Sequence, residues 1–430
     1  LATATVNIRN LAFGGDGVGE VIETDSENST LGIAAFVPFT IPGEKTRIHI
    51  SEEKKRYLRG DITELLEISP ARVEPECKYF GNCGGCEIQH IHYDDQLKFK
   101  REMISGALRA GRLPAKVVEA LKDIVPSSPF NYRRRVTLHV SESGLVGFYR
   151  ERSRSIVSIE RCPIAVDAIS ELLPKLPTFT FAVKGKISSI VLESDAAGVV
   201  AVLKSAYALT KRDREIILGA AKQVFESALL LSGSEAAGGF GREILELPLS
   251  SSDSFTLQVP AGNFSQINLE INRALVEYVT SHAEIGRGDS VIDLYAGAGN
   301  FSLPLARLGG KVTAVEVDKR LVQLGKQNAL RLRLDKQVTF YESSVEKFLS
   351  KPQTAPKLLV CDPPRSGLGP MANKLPNADR VILISCHLPS CVRDLMALTE
   401  AGYEVLEIQP FDMFAQTTYV EIASVLVKRK

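Results

Sequence analysis

The sequence predicts three parts: a small N-terminal β-barrel, a central segment built on a mixed sheet, and a C-terminal doubly wound α/β domain of Rossmann-like layout. Three observations carry this. Residues 1 to about 70 read as short alternating strands broken by glycine and proline turns. Strand patterns return between about 129 and 250. From about 256 strands alternate with helical patterns, and the first ends in a glycine turn, as in an open parallel sheet. The expected divisions are 1–70, 71–255 and 256–430.

In the first part "TVNIRNLAFGGDGVGEVIET" alternates, breaks at Gly14-Gly15-Asp16-Gly17 and resumes. Several such strands suit a barrel, with a sandwich or an appended sheet as the alternative. Next comes "CKYFGNCGGCEIQH", with Cys77, Cys83 and Cys86 in a glycine-rich loop. "YDDQLKFKREMISGALRAG" has helical spacing, with Leu97, Met103, Ile104 and Leu108 on one face. In the central segment "RRRVTLHV", "GLVGFYR", "SIVSI", "ISSIVLES" and "GVVAVLKS" read as strands, "KRDREIILGAAKQVFES" as a helix and "GSEAAGGFGREI" as a loop. In the last part "SVIDLYAGAGNF", "KVTAVEVD", "KQVTFYES", "PKLLVCDPPRSG", "DRVILISC", "YEVLEIQPF" and "VEIASVLVKR" supply the strands.

The 430 residues are 44% hydrophobic and 24% charged, ordinary for a soluble protein with several cores. No apolar run approaches the roughly 20 residues of a membrane span. The opening residues lack the pattern of a secretory leader, and a first residue of Leu points to a trimmed start; a cytoplasmic protein away from membranes is expected. Seven cysteines in that setting suit metal binding, catalysis or burial better than disulfides. A net charge of +1 gives no global footprint for nucleic acid, so any basic surface must be local.

Open α/β sheets bind ligands at the C-terminal ends of their strands. "DLYAGAGNF" places Asp293, Gly297 and Gly299 on the first such turn. Glu316 ends the next strand, where an acidic side chain suits ribose hydroxyls. A lone G-x-G serves NAD, FAD, S-adenosylmethionine or merely a structural turn. The third glycine that a pyrophosphate favours is absent, which fits S-adenosylmethionine. After the fourth strand Asp362-Pro363-Pro364 forms a rigid acidic corner suited to a planar base or an amine. Amino-group methyltransferases carry Tyr or Phe after such a corner; Arg365 stands here instead.

The fifth strand ends at Ser385-Cys386, and Glu421 opens the last strand, with Asp412 upstream. A thiol and a carboxylate beside a methyl donor suit C5-methylation of uracil. C5 is a poor nucleophile until a thiolate adds at C6, and a base must then take the C5 proton. The plain alternative is a small buried cysteine. Cys391, in the helix that follows, and Cys361, in a strand, read as packing.

These residues together resemble the iron–sulfur-containing RNA (uracil-5-)-methyltransferases, in particular the bacterial 23S rRNA members, over nearly the whole chain. The motifs are Cys77, Cys83 and Cys86 with Cys162-Pro163, "FSQIN" at 264–268, "DLYAGAGNF" at 293–301, "DPPRSG" at 362–367, "SC" at 385–386 and "DMFAQTTYVE" at 412–421. The resemblance implies a class I methyltransferase domain, a central iron–sulfur domain and an N-terminal TRAM-like, OB-like barrel that binds RNA. It implies Cys386 as nucleophile and Glu421 as base, with Gln266, Tyr295, Asn300, Glu316 and Asp362 contacting S-adenosylmethionine or the adjacent uracil. It further implies that a helix over about 93–123 packs on the catalytic domain. The sequence departs from the family at His387 and Leu388, where Asn-Pro is usual, at Ala415 and Tyr419, and at Ser344.

With Cys162 as fourth ligand the cysteines suit a [4Fe–4S] cluster; zinc sites more often show two close pairs, and unrelated thiols are the third reading. A radical enzyme, which leaves one iron open, does not fit a fourth ligand and a separate cofactor fold. The cluster is expected to order a loop that touches RNA. Residues 131–161 carry seven Arg against three Glu, interleaved with Tyr132, Phe148 and Tyr149, a mixture suited to phosphates and bases. A solvated strand face is the alternative, and "SEEKKRYLRG" in the barrel is a weaker candidate of the same kind. The expected substrate is a flipped-out uridine of 23S rRNA, and a monomer is expected to suffice. The competing readings are a tRNA T-loop uridine, an exocyclic amine with Cys386 incidental, and a catalytically silent RNA-binding relative.

Overall fold

The computed structural model describes residues 2–26, 31–233, 235–250 and 255–429. The chain divides into two compact units. The first comprises Leu1–Gly106 with Tyr149–Ser155 and Phe414–Tyr419; the second comprises Ala107–Phe148, Ile156–Met413 and Val420–Lys430.

The first unit opens with a closed barrel of β1 (Thr3–Leu11), β2 (Gly17–Thr24), β3 (Ala34–Val37), β4 (Lys45–Glu53) and β5 (Tyr57–Glu67), in the order β1-β2-β3-β5-β4. Alternation fills it: Val6, Ile8, Val21, Val37, Ile48 and Leu58 form its core. A second small core of Leu11, Ile41, Ala71, Ile88 and Ile91 secures the segment after the cysteine loop. The helix Tyr93–Ala110 follows.

The second unit holds two seven-stranded sheets. One contains β6 (Arg135–Val140), β7 (Val146–Tyr149), β8 (Ile156–Val157), β9 (Ser189–Asp195), β10 (Gly198–Ser205), β11 (Ser227–Ser232) and β12 (Glu235–Phe240), ordered β12-β11-β10-β9-β6-β7-β8. Its pairs are mixed: β10 runs parallel to β11 and antiparallel to β9. The glycine-rich stretch expected as a loop is therefore partly strand, since β12 pairs along β11 with a bulge. Ser234 within that stretch lies outside the described residues. β13 (Ile244–Pro248) and β14 (Thr256–Pro260) form a hairpin.

The last sheet contains β15 (Ser290–Leu294), β16 (Lys311–Glu316), β17 (Val338–Glu342), β18 (Leu358–Cys361), β19 (Arg380–Ser385), β20 (Tyr403–Phe411) and β21 (Glu421–Lys428), ordered β17-β16-β15-β18-β19-β21-β20. The first five are parallel, whereas β21 runs antiparallel to β19 and β20. This is the class I methyltransferase arrangement. The strand order reverses between β15 and β18, the point where doubly wound sheets bind ligands.

The helix expected over about 93–123 is interrupted. Arg112 has φ 57° and Pro114 follows two residues later, so the first helix stops at Ala110 and a short one spans Ala115–Glu119. Residues 121–125 then run extended along β20, bridging Leu121 to Ile408 and Val125 to Phe411. Among the described residues no helix is long and apolar enough to cross a membrane.

Candidate active site

The C-terminal edge of the last sheet gathers the expected residues strand by strand. Asp293 ends β15 fully buried; Ser302 donates to its Oδ2, and Oδ1 has no partner. The turn that follows needs unusual backbone. Tyr295, Gly297 and Gly299 have φ of 65°, 57° and 106°. A Cβ on Gly299 would lie 2.9 Å from Leu303 Cγ, so the turn is closed by the absence of a side chain.

Glu316, at the end of β16, locks that turn. Its Oε2 accepts from Gly297 N–H at 3.0 Å, and its Oε1 from Val317 and Asp318 N–H at 2.7 and 2.8 Å. Asn300 makes a reciprocal amide pair with Asn272 at 3.0 Å in both directions, which ties the turn to the helix Leu269–Ser281. Ser344 spends its hydroxyl oxygen capping the helix Val345–Leu349, accepting from Lys347 N–H at 3.2 Å. Asp362 follows β18, and its N–H donates to the Leu294 carbonyl at 3.3 Å.

Cys386 follows β19 and is half-buried. The antiparallel register pairs Ser385 with Ile422, so one step further Cys386 stands opposite Glu421. Because β21 enters where β19 leaves, the nucleophile and base candidates share one edge. Glu421 is 3% exposed.

The electrostatics agree with that convergence. Burial first, then Glu421 and Asp362, push the Cys386 thiol up to about 11, while Arg365 pulls it down. Burial raises Asp362 to about 7. Burial also raises Asp293 to about 7, opposed by Ser302 and helped by Asp362 and Glu316. Glu421 is held well above the usual carboxylate range by burial and by Asp362. Buried carboxyls raised in this way favour a positively charged ligand.

Several supporting residues carried no sequence signal. Asp394 is buried in the helix Leu388–Glu400 and accepts from Leu368 and Gly369 N–H at 2.6 and 3.2 Å, fixing the loop after Asp362. Ser390 donates to the Arg365 carbonyl at 2.7 Å, so the contact between His387 Nδ1 and Ser390 Oγ at 2.8 Å has the imidazole N–H as donor. The unusual His387 thus braces the same loop. Only its i, i+3 spacing from Ser390 hinted at this. Cys391 and Cys361 are buried, in that helix and in β18.

The arginine-rich stretch divides. Arg150, Arg152, Arg154 and Arg161 are exposed. Arg134 is 2% and Tyr132 6% exposed, and Arg135 is mostly covered. Arg134 and Arg135 are therefore turned inward, donating to carbonyls of β9 and of the loop after β14. Gln266 is half-buried on the loop after β14, and its carbonyl accepts from Arg134.

In the first unit Cys83 bridges Arg150, and Gly84 N–H donates to the Tyr149 carbonyl at 2.9 Å. The loop is braced at its far end by Glu87, whose Oε2 accepts from Thr418 N–H at 3.0 Å and Thr418 Oγ1 at 2.6 Å. Cys77, Cys83, Cys86 and Cys162 are all half-buried and none is in a disulfide. Thiols are the ligand type that an iron–sulfur cluster takes. Among the described residues, however, no three His, Cys, Asp or Glu side chains are gathered into a group that would hold a metal ion.

This sheet and its acidic, glycine-turned edge define an S-adenosylmethionine-dependent methyltransferase of class I. Residues 92–352 match the family described as tRNA (uracil-5-)-methyltransferase, and residues 2–63 match the TRAM domain. A 23S rRNA (uracil(1939)-C(5))-methyltransferase, RlmD, of Shewanella amazonensis is 34% identical over 401 residues, covering 91% of this chain and 90% of that protein. The protein of the same name from Haemophilus parainfluenzae is 29% identical, covering 96% of each. The chain belongs to the tRNA (uracil-5-)-methyltransferase family. The fold also resembles the Pyrococcus abyssi tRNA (uracil-54, C5)-methyltransferase solved with S-adenosyl-L-homocysteine, with a TM-score of 0.73, 23% identity and coverage of 98% and 99%.

Proposed function

We propose that the protein methylates C5 of one uridine in 23S rRNA, the position that its relatives' names give as 1939. The observation that carries the chemistry is the register that pairs Ser385 with Ile422 and so brings Cys386, just past β19, to the edge where Glu421 opens β21. Bound S-adenosylmethionine supplies the methyl group. Cys386 loses its proton to solvent and its thiolate adds to C6, leaving an enolate nucleophilic at C5. After transfer, Glu421 takes the C5 proton, and the electron pair re-forms the C5–C6 bond as the thiolate departs. A carboxyl held above its usual range is, once ionised, a stronger base for the C5 proton.

Glu316, fixed at the glycine turn, is proposed to receive ribose hydroxyls, with Tyr295, Asn300 and Gln266 lining the same edge and Asp362 between the cofactor and the uracil. The unpartnered Asp293 Oδ1 and the raised carboxyls complement a sulfonium cation. The closed barrel is proposed to be OB-like and, with the exposed Arg150, Arg152 and Arg154, to hold RNA. The division at 70 and 255 is kept as a functional one: RNA-binding barrel, central domain and catalytic domain. A monomer acting in the cytoplasm is proposed.

Cys77, Cys83, Cys86 and Cys162 are proposed to hold a [4Fe–4S] cluster with a structural role. Anaerobically purified protein should contain about four iron and four sulfide per chain; zinc in their place would refute this. The function itself is tested by incubating purified protein with S-adenosylmethionine and either unmodified 23S rRNA or tRNA, then mapping 5-methyluridine. A single 23S rRNA position is expected. Methylation of the tRNA T-loop alone, or binding without methyl transfer, would replace the proposal.

A further inference from the structure

We propose that Arg134 and Arg135 are positioning residues for the loop 262–268 and, through it, for the cofactor edge of the methyltransferase sheet. This rests on the reading that Gln266 contacts the cofactor. Both arginines belong to the stretch whose composition pointed to RNA, yet their donors are spent inside the protein.

Arg134 Nε donates to the Ser194 carbonyl at 2.6 Å. Its Nη1 donates to Ser265 Oγ at 2.7 Å and to the Gln266 carbonyl at 3.2 Å, and its backbone N–H donates to the Ile267 carbonyl at 2.9 Å. Arg135 holds the other end of the loop. Its Nη1 donates to the Asn263 carbonyl and its Nη2 to the Gly262 carbonyl at 3.4 Å. Glu193 of β9, fully buried, pairs with Arg135 at 3.2 Å and accepts the Gly262 N–H. On its outer side the loop reaches the cofactor edge directly. Asn263 Nδ2 donates to Asp318 Oδ2 at 3.3 Å, and Asp318 N–H is one of the groups that hold Glu316.

The loop is thus gripped at both ends by the central sheet and tied at its side to the acidic end of β16. Burying a guanidinium is a poor way to gain stability, since its desolvation offsets much of what its bonds return. Arg134 even keeps Nη2 buried without a partner. What the planar fork does supply is fixed geometry: one side chain sets a carbonyl of β9, a hydroxyl and the Gln266 carbonyl together. A lysine keeps the charge but cannot reproduce that fork.

The test uses full-length Arg134→Lys, Asn263→Ala and Gln266→Ala. Asn263→Ala breaks the tie to Asp318 and leaves every buried charge in place, so it remains informative if Arg134→Lys folds poorly. Each is titrated calorimetrically with S-adenosylhomocysteine and, separately, with a 23S rRNA fragment over a range of salt. Arg134→Lys and Asn263→Ala are expected to weaken S-adenosylhomocysteine about tenfold and to raise KM for S-adenosylmethionine more than they lower kcat. RNA affinity and its salt slope stay within about twofold of wild type. Unchanged S-adenosylhomocysteine affinity in both variants overturns the proposal, as does a loss confined to RNA affinity and its salt slope. Gln266→Ala reports on the underlying reading by itself: if it binds S-adenosylhomocysteine normally, Gln266 is not the contact, and the other two variants still decide whether the arginines position the edge.

Discussion

At the scale of single residues the site is a set of acids kept from water. Asp293 is held at about 7 instead of 3.8, so the folded chain binds protons that the unfolded chain has released. Stability therefore falls as pH rises from about 4 through about 7, where the unfolded state binds fewer protons, and the loss is complete above that. Asp293→Asn should flatten this decline in cofactor-free protein, read as thermal midpoints at pH 5 and pH 8, and should weaken S-adenosylhomocysteine. The chemical step has the opposite slope. Cys386 must lose a proton held to about 11. Single-turnover methylation at saturating cofactor and RNA should accordingly increase from pH 6 to pH 9. The placement of Cys386 and Glu421 at one sheet edge was legible in the sequence because each residue sits at a strand end, and strand ends are fixed by short local patterns. Asp394 and Ser390 were not legible, since they act across a loop whose path no local pattern encodes.

At the scale of elements, glycine turns and inward-pointing side chains decide what the strands can do. Gly299 has positive φ and no room for a methyl group. Gly299→Ala should lower stability by about 2 kcal/mol and reduce cofactor affinity together, measured by denaturant melts and calorimetry. Among the arginines, exposure separates two jobs. Arg150 and Arg154 are exposed beside the cysteine loop. Replacing both by Ala should reduce the salt slope of RNA binding by about 2 while leaving S-adenosylhomocysteine affinity unchanged. Composition alone placed all seven arginines of the stretch together. It carried no information on which of them β9 and the loop after β14 would cover. The same blindness turned part of a glycine-rich loop into β12, where pairing with β11 overrides weak strand propensity. It also missed the break at Arg112, although Pro114 marks it.

At the scale of the whole molecule, the α/β texture after residue 256 and the strand texture before 70 correspond to the methyltransferase sheet and the closed barrel. The compact units themselves are discontinuous in sequence: Tyr149–Ser155 and Phe414–Tyr419 join the first unit from far along the chain. Such assembly depends on long-range contacts that hydrophobic periodicity does not register. A chain of net charge +1 binds RNA only through local surfaces, so the chemistry, not bulk electrostatics, defines the protein. The chemistry proposed for it rests on Cys386 and Glu421. It is tested most directly by intact mass analysis of Glu421→Gln after incubation with S-adenosylmethionine and a 23S rRNA fragment. Without a base for the C5 proton, the account predicts a covalent protein–RNA species carrying the added methyl group and linked through Cys386. Free methylated RNA produced at the wild-type rate, or a linkage at any other cysteine, would contradict it.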